Sequence, residues 1–458
     1  MGGCGVRAPY DQSHTPMTAF GMAAVAWLVG LAIYQQDGFY SRPGLLLVTA
    51  AIAVCGGTIF FRRQTFAERA RPRLMIIGLT GALLVQVLLL TAVPVPPLAK
   101  LAIGLVGAMA LLQVLDLKRW RLRIFALTLA AFVVVASAVF LAVASHPQID
   151  VFMFQQVSAN GLLHGANPYA IRFPNLYRAS TPVYGPGVVD AATNTLTFGL
   201  PYPPLSLLLV LPAYVLAGDC RFADVVAIAL AAGLVAAVRP GRWNGLVAAS
   251  FLLTPEVFYL VEGSWTEALM ALTFSFVMFS ALRWKAALPW ALGLFFATKQ
   301  TSVLAVPLVW ILLDGPDRLR QYAVLMTKAA LLALALTGPF FLWNPSAFWR
   351  SVVVYQFIQP QRLDALSHLV WMHYRLPGYD IVRWTPFALL VPATAFALWR
   401  TERSPAGFAA ALTLVNLVFV AFNKQAFCNY YYFVIATALW AAAADDSPPA
   451  PAPIRNVA

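Results

Sequence analysis

The chain has 458 residues, 61% of them hydrophobic and 11% charged, with a mean hydropathy of +0.75. A water-soluble chain is roughly 45–50% apolar and about 25% charged, so this composition excludes a soluble enzyme, a disordered protein and a secreted disulfide scaffold. It calls for an all-α polytopic membrane protein, in which the net charge of +13 sets orientation and is no nucleic-acid footprint.

A helix needs about 20 apolar residues, at about 1.5 Å each, to cross about 30 Å of hydrocarbon. Five apolar segments come first, at 17–34, 44–61, 74–93, 98–115 and 124–144. The first is followed by "QQDGFYSR", with no small-residue cleavage site, and is read as an uncleaved helix. Arg62, Arg63, Arg69, Arg71 and Arg73 fill one loop between these segments, and Lys118, Arg119, Arg121 and Arg123 fill another. The alternate turns are nearly free of positive charge, so the positive-inside rule places both basic loops and the N-terminus in the cytoplasm. The chain then emerges outside near Ser145.

From His146 to Leu200 the chain is polar and mixed, the largest departure from apolar composition in the sequence. A loop of that length in a compact protein is usually functional. It begins with Asp150 in "HPQIDVFMFQQ". A carboxylate half shielded by lipid and protein there has its pKa raised and is suited to accept a proton; the plainer alternative is a residue that starts a helix. Asn167, Tyr169 and Tyr202 are able to bond or stack a sugar.

Ten further apolar segments follow, at 203–217, 222–238, 244–260, 264–283, 286–298, 301–313, 322–342, 380–399, 405–421 and 430–444. Arg239, Arg242, Arg283, Lys285, Arg318, Arg320, Arg400 and Arg403 punctuate them, and all are expected inside. Fifteen segments give one crossing too many for those charges. The weakest, 203–217, has 15 residues, opens with "YPPL" and closes with "GD", and is therefore read as a juxtamembrane helix on the outer face, beside a second one within 150–165. Fourteen crossings remain, with both termini cytoplasmic. The rival arrangement lets 203–217 cross and fuses 286–313 into one kinked helix.

The resulting divisions are 1–145, an N-terminal five-helix membrane segment; 146–221, the outer loop with juxtamembrane helices; 222–444, a C-terminal membrane core; and 445–458, a disordered cytoplasmic tail. Cys4, Cys55, Cys220 and Cys428 have no metal-binding spacing and are read as free thiols. No phosphate-binding loop, nucleophile elbow or metal-spaced cluster occurs, and no metal or cofactor is expected.

What remains is polar residues near membrane depth, which are costly and point to function. Lys299, in "FFATKQTSVLAVP" beside Gln300, separates two apolar half-segments and is one of six lysines. It either snorkels outward or neutralises a bound anion. Arg350, Arg362, Asp364, His368, His373 and Arg375 lie in an outer segment, and Lys424 and Gln425 lie in another. These basic residues break the orientation rule, so an anion is expected near them. Tyr430, Tyr431 and Tyr432 read as an interfacial aromatic belt. Glu256, Glu262 and Glu267 read as helix-end or solvated carboxylates.

One carboxylate facing several cations at one interface suits a lipid-phosphate substrate. At these residues the sequence resembles the GT-C superfamily of polyprenyl-phosphate-sugar-dependent glycosyltransferases. It is most like glycosyltransferase family 87, the polyprenol-phosphate-mannose-dependent α-mannosyltransferase type. The resemblance is carried by "IDVFMFQQVSANGLLHGANPYA", "YPPLSLLLVLP", "ATKQTSVLAVP", "QPQRLDALSH" and "NKQAFCNYYYF", in that order. It implies a GT-C-like bundle of about 12–14 transmembrane helices with exoplasmic juxtamembrane helices. It implies an inverting hexosyltransferase in the plasma membrane, with a polyprenyl-phosphate sugar donor, a glycolipid or glycan acceptor and membrane lipids as partners. Asp150 is then the general base, and Lys299, Gln300, Arg362, Asp364, His368, Lys424, Asn167, Tyr169 and Tyr202 the substrate-binding residues. In that family the Asp follows the first helix. Here it follows the fifth, and the four extra helices have no counterpart. The alternative class is a transporter or flippase of lipid-linked glycans, which would place its charges at the membrane midplane within repeated halves.

Overall fold

The computed structural model describes residues 17–61, 72–115, 117–143, 147–177, 183–376 and 384–445. Cys4, Arg62, Arg63, Arg69, Arg71, His146 and the tail after Asp445 lie outside these residues. The chain is all-α apart from one short hairpin. Before the outer loop come α1 (Met17–Tyr34), α2 (Arg42–Phe61), α3 (Pro72–Ala92), α4 (Pro97–Leu111) and α5 (Arg121–Val143). The loop holds α6 (Asp150–Leu163), the antiparallel pair β1 (Val189–Asp190) and β2 (Thr195–Leu196), and α7 (Pro204–Ala217). Next are α8 (Arg221–Val238), α9 (Arg242–Leu252), α10 (Val257–Glu262), α11 (Glu267–Arg283) and α12 (Leu288–Thr298). Two 3-10 pieces, Gln300–Ala305 and Pro307–Leu312, lead to α13 (Arg318–Trp343), α14 (Pro345–Trp349), α15 (Tyr355–Ile358) and α16 (His368–Arg375). The last three are α17 (Thr385–Arg400), α18 (Pro405–Ala421) and α19 (Cys428–Ala444).

Proline and glycine set many of these boundaries. Proline stands in the first turn of α4, α7, α17 and α18, where its missing N–H costs nothing. Gly218, at φ 75°, caps α7 in the left-handed region open to glycine. The apolar run 244–260 is not continuous: Pro255 cannot extend α9, Glu256 turns to φ 66°, and α10 starts afresh.

The centre is α18 and α19, buried along nearly their whole length, with α8, α9 and α11 packed around them. The N-terminal helices belong to the same body. Helix α1 packs on α19, α2 on α18, α3 on α9 and α5 on α8. Helix α13 is peripheral, leaning on α12 with only 11% of its apolar window buried.

Among the described residues six helices are long and apolar enough to cross a membrane: Arg42–Phe61, Leu74–Ala92, Pro97–Val114, Arg121–Ala142, Arg221–Val238 and Arg318–Trp343. The protein is thus a multi-pass membrane protein. Fewer helices reach this length than the fourteen crossings expected. Helices such as α11, α18 and α19 have 17 residues, about 26 Å at 1.5 Å each, just under the hydrocarbon thickness.

The two ends of the bundle differ. At one end Thr18 bonds Asp445, Arg239 reaches the Asp445 carbonyl at 2.8 Å, Arg242 reaches the Val114 carbonyl at 2.9 Å, and Arg400 reaches the Phe60 carbonyl at 2.9 Å. The opposite end carries Asp150, Asp219, Glu267, Arg362 and Lys424. The run 286–313 is not one kinked helix. Helix α12 climbs to Lys299, which pairs with the first residue of α11, and the 3-10 pieces descend until Trp310 packs on Tyr322 of α13. Both ends of α7 stay at the Asp150 end. The Pro201 carbonyl before it accepts from Gln300 at 2.8 Å, and the Gly218 carbonyl after it accepts from Gln156 of α6 at 2.6 Å.

Candidate active site

Asp150 is the first residue of α6; the cap position is Ile149, so a helix-capping role does not account for it. Its half-buried carboxyl accepts from the Tyr184 hydroxyl at 2.7 Å, and its N–H donates to the Tyr177 hydroxyl at 3.3 Å. The two tyrosine rings meet edge to face at 5.6 Å. Burial pushes the Asp150 carboxyl above its ordinary pKa, while Tyr184, Tyr177, the Val151 N–H and the charge of Arg362 pull it back. The helix N-terminus beneath it favours the carboxylate as well. The result is a carboxyl that binds protons more tightly than a free aspartate yet has donors fixed around its charged form. Burial, and then the Asp150 charge, push the hydroxyls of Tyr177 and Tyr184 up, so both are neutral donors at ordinary pH.

Beside this lies a buried ion pair. Lys299 Nζ is 2.5 Å from Glu267 Oε1 and 3.0 Å from Thr266 Oγ1, and its side chain is 7% exposed. Asn429 donates to the same Glu267 oxygen at 2.9 Å. The Tyr202 and Tyr430 rings take the lysine charge on their faces, at 5.5 and 5.0 Å. Lys299 therefore neither snorkels nor offers an uncompensated charge to an anion; it neutralises Glu267. Glu267, in turn, is no solvated helix-end carboxylate. The Tyr202 hydroxyl is pushed up by burial and then by Asp150, Tyr430 and Glu267, which places it within electrostatic reach of both carboxylates.

The remaining cations are held close by. Arg362 grips Asp364 through two bonds, of 2.9 and 2.6 Å, and lies 5.0 Å over the Phe427 ring. The Arg362 N–H donates to the Lys424 carbonyl at 3.0 Å, and the Lys424 ammonium donates to the Gln359 and Phe357 carbonyls at 2.6 and 3.1 Å. This knot joins Lys424 to Arg362, whose charge reaches Asp150. Gln300 bonds the Pro201 and Val352 carbonyls at 2.8 and 2.9 Å and ties the outer loop to the π-helical turn Arg350–Val354. Arg350, His373 and Arg375 are exposed.

Other predicted members are structural. Asn167 closes a turn on the Tyr169 N–H at 3.0 Å. Tyr169 is 2% exposed, packs on Phe348 and bonds the Tyr202 carbonyl at 2.9 Å. His368 stacks on Phe422 at 4.6 Å and its burial lowers its pKa, which leaves it neutral and away from an anion role. Tyr431 and Tyr432 are no interfacial belt: both are core residues, and Tyr431 bonds the Leu366 carbonyl at 2.6 Å. Cys55, Cys220 and Cys428 are free and buried.

Sequence reasoning missed Tyr177, Tyr184 and the Lys299–Glu267 contact. It also missed the buried link from Gln155 of α6 through Ser264 to Asp224 of α8, whose Ser264–Asp224 bond is 2.9 Å. The available signal was aromatic density in a polar stretch, "NLYRASTPVYGP".

No family model matches the chain, and no curated protein matches it. Among solved structures it is similar to ArnT from Cupriavidus metallidurans bound to undecaprenyl phosphate, with 18% identity and a TM-score of 0.39 over 67% of this chain and 59% of that one. The chain thus spans less than two thirds of the length of that protein. The functional reading below rests on this chain's own residues.

Proposed function

We propose that the protein is an integral membrane hexosyltransferase that moves a sugar, mannose by its family resemblance, from a polyprenyl-phosphate donor to a glycolipid or glycan acceptor on the outer face. One observation carries this reading: a half-buried carboxyl of raised pKa, ringed by tyrosine hydroxyls, beside a fixed pair of cations. Asp150 takes the proton of the acceptor hydroxyl as its oxygen bonds to the anomeric carbon. The bond from that carbon to the phosphate oxygen breaks, its electron pair stays on the phosphate, and the sugar inverts. Arg362, which shares its charge with Asp364, and Lys424 are assigned the charge that builds on the leaving phosphate. The charge rule puts the arginine end in the cytoplasm and this end outside. A transporter would need its charges in mid-membrane, whereas these gather at one end.

Asp150→Asn tests the reading by transfer from radiolabelled polyprenyl-phosphate mannose to endogenous membrane acceptors. Losing a positioned base lowers turnover by about 10²–10⁴-fold. Turnover equal to wild type removes Asp150 as the base.

A further inference from the structure

Further along the helix that begins at Asp150 is a group of buried oxygens that sugar transfer does not use. Asp224, in the first turn of α8, is fully buried and makes no ion pair among the described residues. Its Oδ2 accepts from the Ser264 hydroxyl at 2.9 Å, but its Oδ1 has no hydrogen-bond partner among those residues. The Gln155 amide donates to the same hydroxyl at 3.2 Å and to the Ser264 carbonyl. That carbonyl fixes which end of the amide is the donor. The other end, Oε1, is buried and likewise has no partner. Ser158 follows Gln155 by three residues, on the same face of α6. Its hydroxyl is buried and unpartnered too.

An aspartate in a first turn complements the helix dipole, but that accounts for neither Oδ1 nor the Gln155 and Ser158 oxygens. A carboxylate shut away from water draws a counter-charge. Arg221, three residues before Asp224, pairs with Asp219 at 2.6 Å instead. The atoms left over are all oxygens, the donors that hard cations take. One carboxylate balances one positive charge. No group of three His, Cys, Asp or Glu side chains among the described residues is placed to hold a metal of higher charge. The ligand is therefore monovalent. Protein closes over these atoms, so it is also small, and a bare sodium ion is smaller than a water molecule. The backbone fits the same ligand. The apolar stretch of α9, α10 and α11 is broken at 253–256 and at 263–266, with Ser264 in the second break at φ 50°. Breaks in membrane helices are where side chains and main-chain carbonyls hold sodium.

We infer that Asp224, Gln155, Ser158 and Ser264 form a site for a dehydrated sodium ion. The ion neutralises Asp224 and ties α6, the helix that begins at Asp150, to α8 and to the turn before α11. The site stands apart from sugar transfer and does not depend on it.

The test uses the full chain in lipid nanodiscs, with sodium chloride exchanged for choline chloride at constant ionic strength. It measures binding of radioactive sodium and the melting temperature. Wild type is expected to bind sodium saturably, and its melting temperature to rise with sodium and level off, as for a ligand that binds the folded state alone. Asp224→Asn keeps the shape and removes the charge, so both responses are lost. Ser158→Ala removes one neutral oxygen and raises the half-saturating sodium concentration about fivefold. The serine variant keeps the test valid if Asp224→Asn fails to fold. The inference is overturned by no saturable sodium binding in wild type, by unchanged half-saturation in Ser158→Ala, or by an equal effect of potassium chloride. It is also overturned by stability that rises as pH falls with no response to sodium, which makes the partner of Asp224 a proton. Asp150→Asn is expected to bind sodium like wild type, so this inference and the glycosyl-transfer reading fail separately.

Discussion

The two ends of the bundle use positive charge differently. At the arginine end, Arg239, Arg242, Arg283 and Arg400 all bond main-chain carbonyls. Those carbonyls belong to Asp445, Val114, Val238 and Phe60, at the C-terminal ends of α19, of the turn after α4, of α8 and of α2. Four unsatisfied carbonyls and a partial negative charge end every helix, so these arginines cap as well as orient. At the other end the buried cations meet carboxylates, Arg221 with Asp219 at 2.6 Å and Lys299 with Glu267 at 2.5 Å, and the half-buried Arg362 meets Asp364 at 2.6 Å, while Lys424 donates to the Phe357 and Gln359 carbonyls. Asp150 makes no ion pair among the described residues and is held by tyrosines instead. Charge is structural at one end, and at the other it is balanced around one carboxyl left open to protons.

The strongest way to break this contrast is Lys299→Met. It strands Glu267 in the interior, where an uncompensated charge costs about 3–5 kcal/mol. Thermal unfolding in detergent is expected to show that loss, and the double variant Lys299→Met/Glu267→Leu to recover most of it. Stability of the single variant equal to wild type means that the pair is solvated. Arg242→Ala is milder. Losing one charged cap costs about 1 kcal/mol, with transfer per folded protein unchanged. A fall in transfer beyond the loss of folded protein ties the arginine end to the chemistry.

Much of the helical frame was legible. The apolar runs 17–34 and 405–421 coincide with α1 and α18, and the short, Pro-flanked 203–217 is α7 to within a residue. Where the reading failed, the cause was local chemistry or distance. Pro255 cut the run 244–260. The run 301–313 is apolar enough for an α-helix yet coils as 3-10, with Pro307 at its middle. At the site, Asp150 stood out because a carboxylate at that depth is conspicuous. Its partners did not: Tyr177 and Tyr184 lie 27 and 34 residues on, in a stretch with no periodicity. Glu267 lies 32 residues before Lys299 on a different element. Each charge alone looked solvated or functional, and only tertiary contact shows that they cancel.

Tyrosine in place of a cation at Asp150 has a consequence in pH. In the proposed mechanism Asp150 works as the carboxylate, so transfer is expected to rise with pH through its pKa, which lies above the ordinary value of about 3.9. The Tyr184 hydroxyl donates to the charged form and holds that pKa down. Tyr184→Phe therefore pushes it up, and the acid limb of the rate profile moves to higher pH, while rates well above the limb approach wild type. Tyr177→Phe does the same to a lesser degree, as the weaker of the two donors. A pH profile of transfer for the two variants checks this order. A uniform fall at every pH means that the tyrosines position substrate and do not tune the base. An acid limb moving down means that the carboxyl is protonated in the active form and donates to Tyr184, which reverses its role from base to acid.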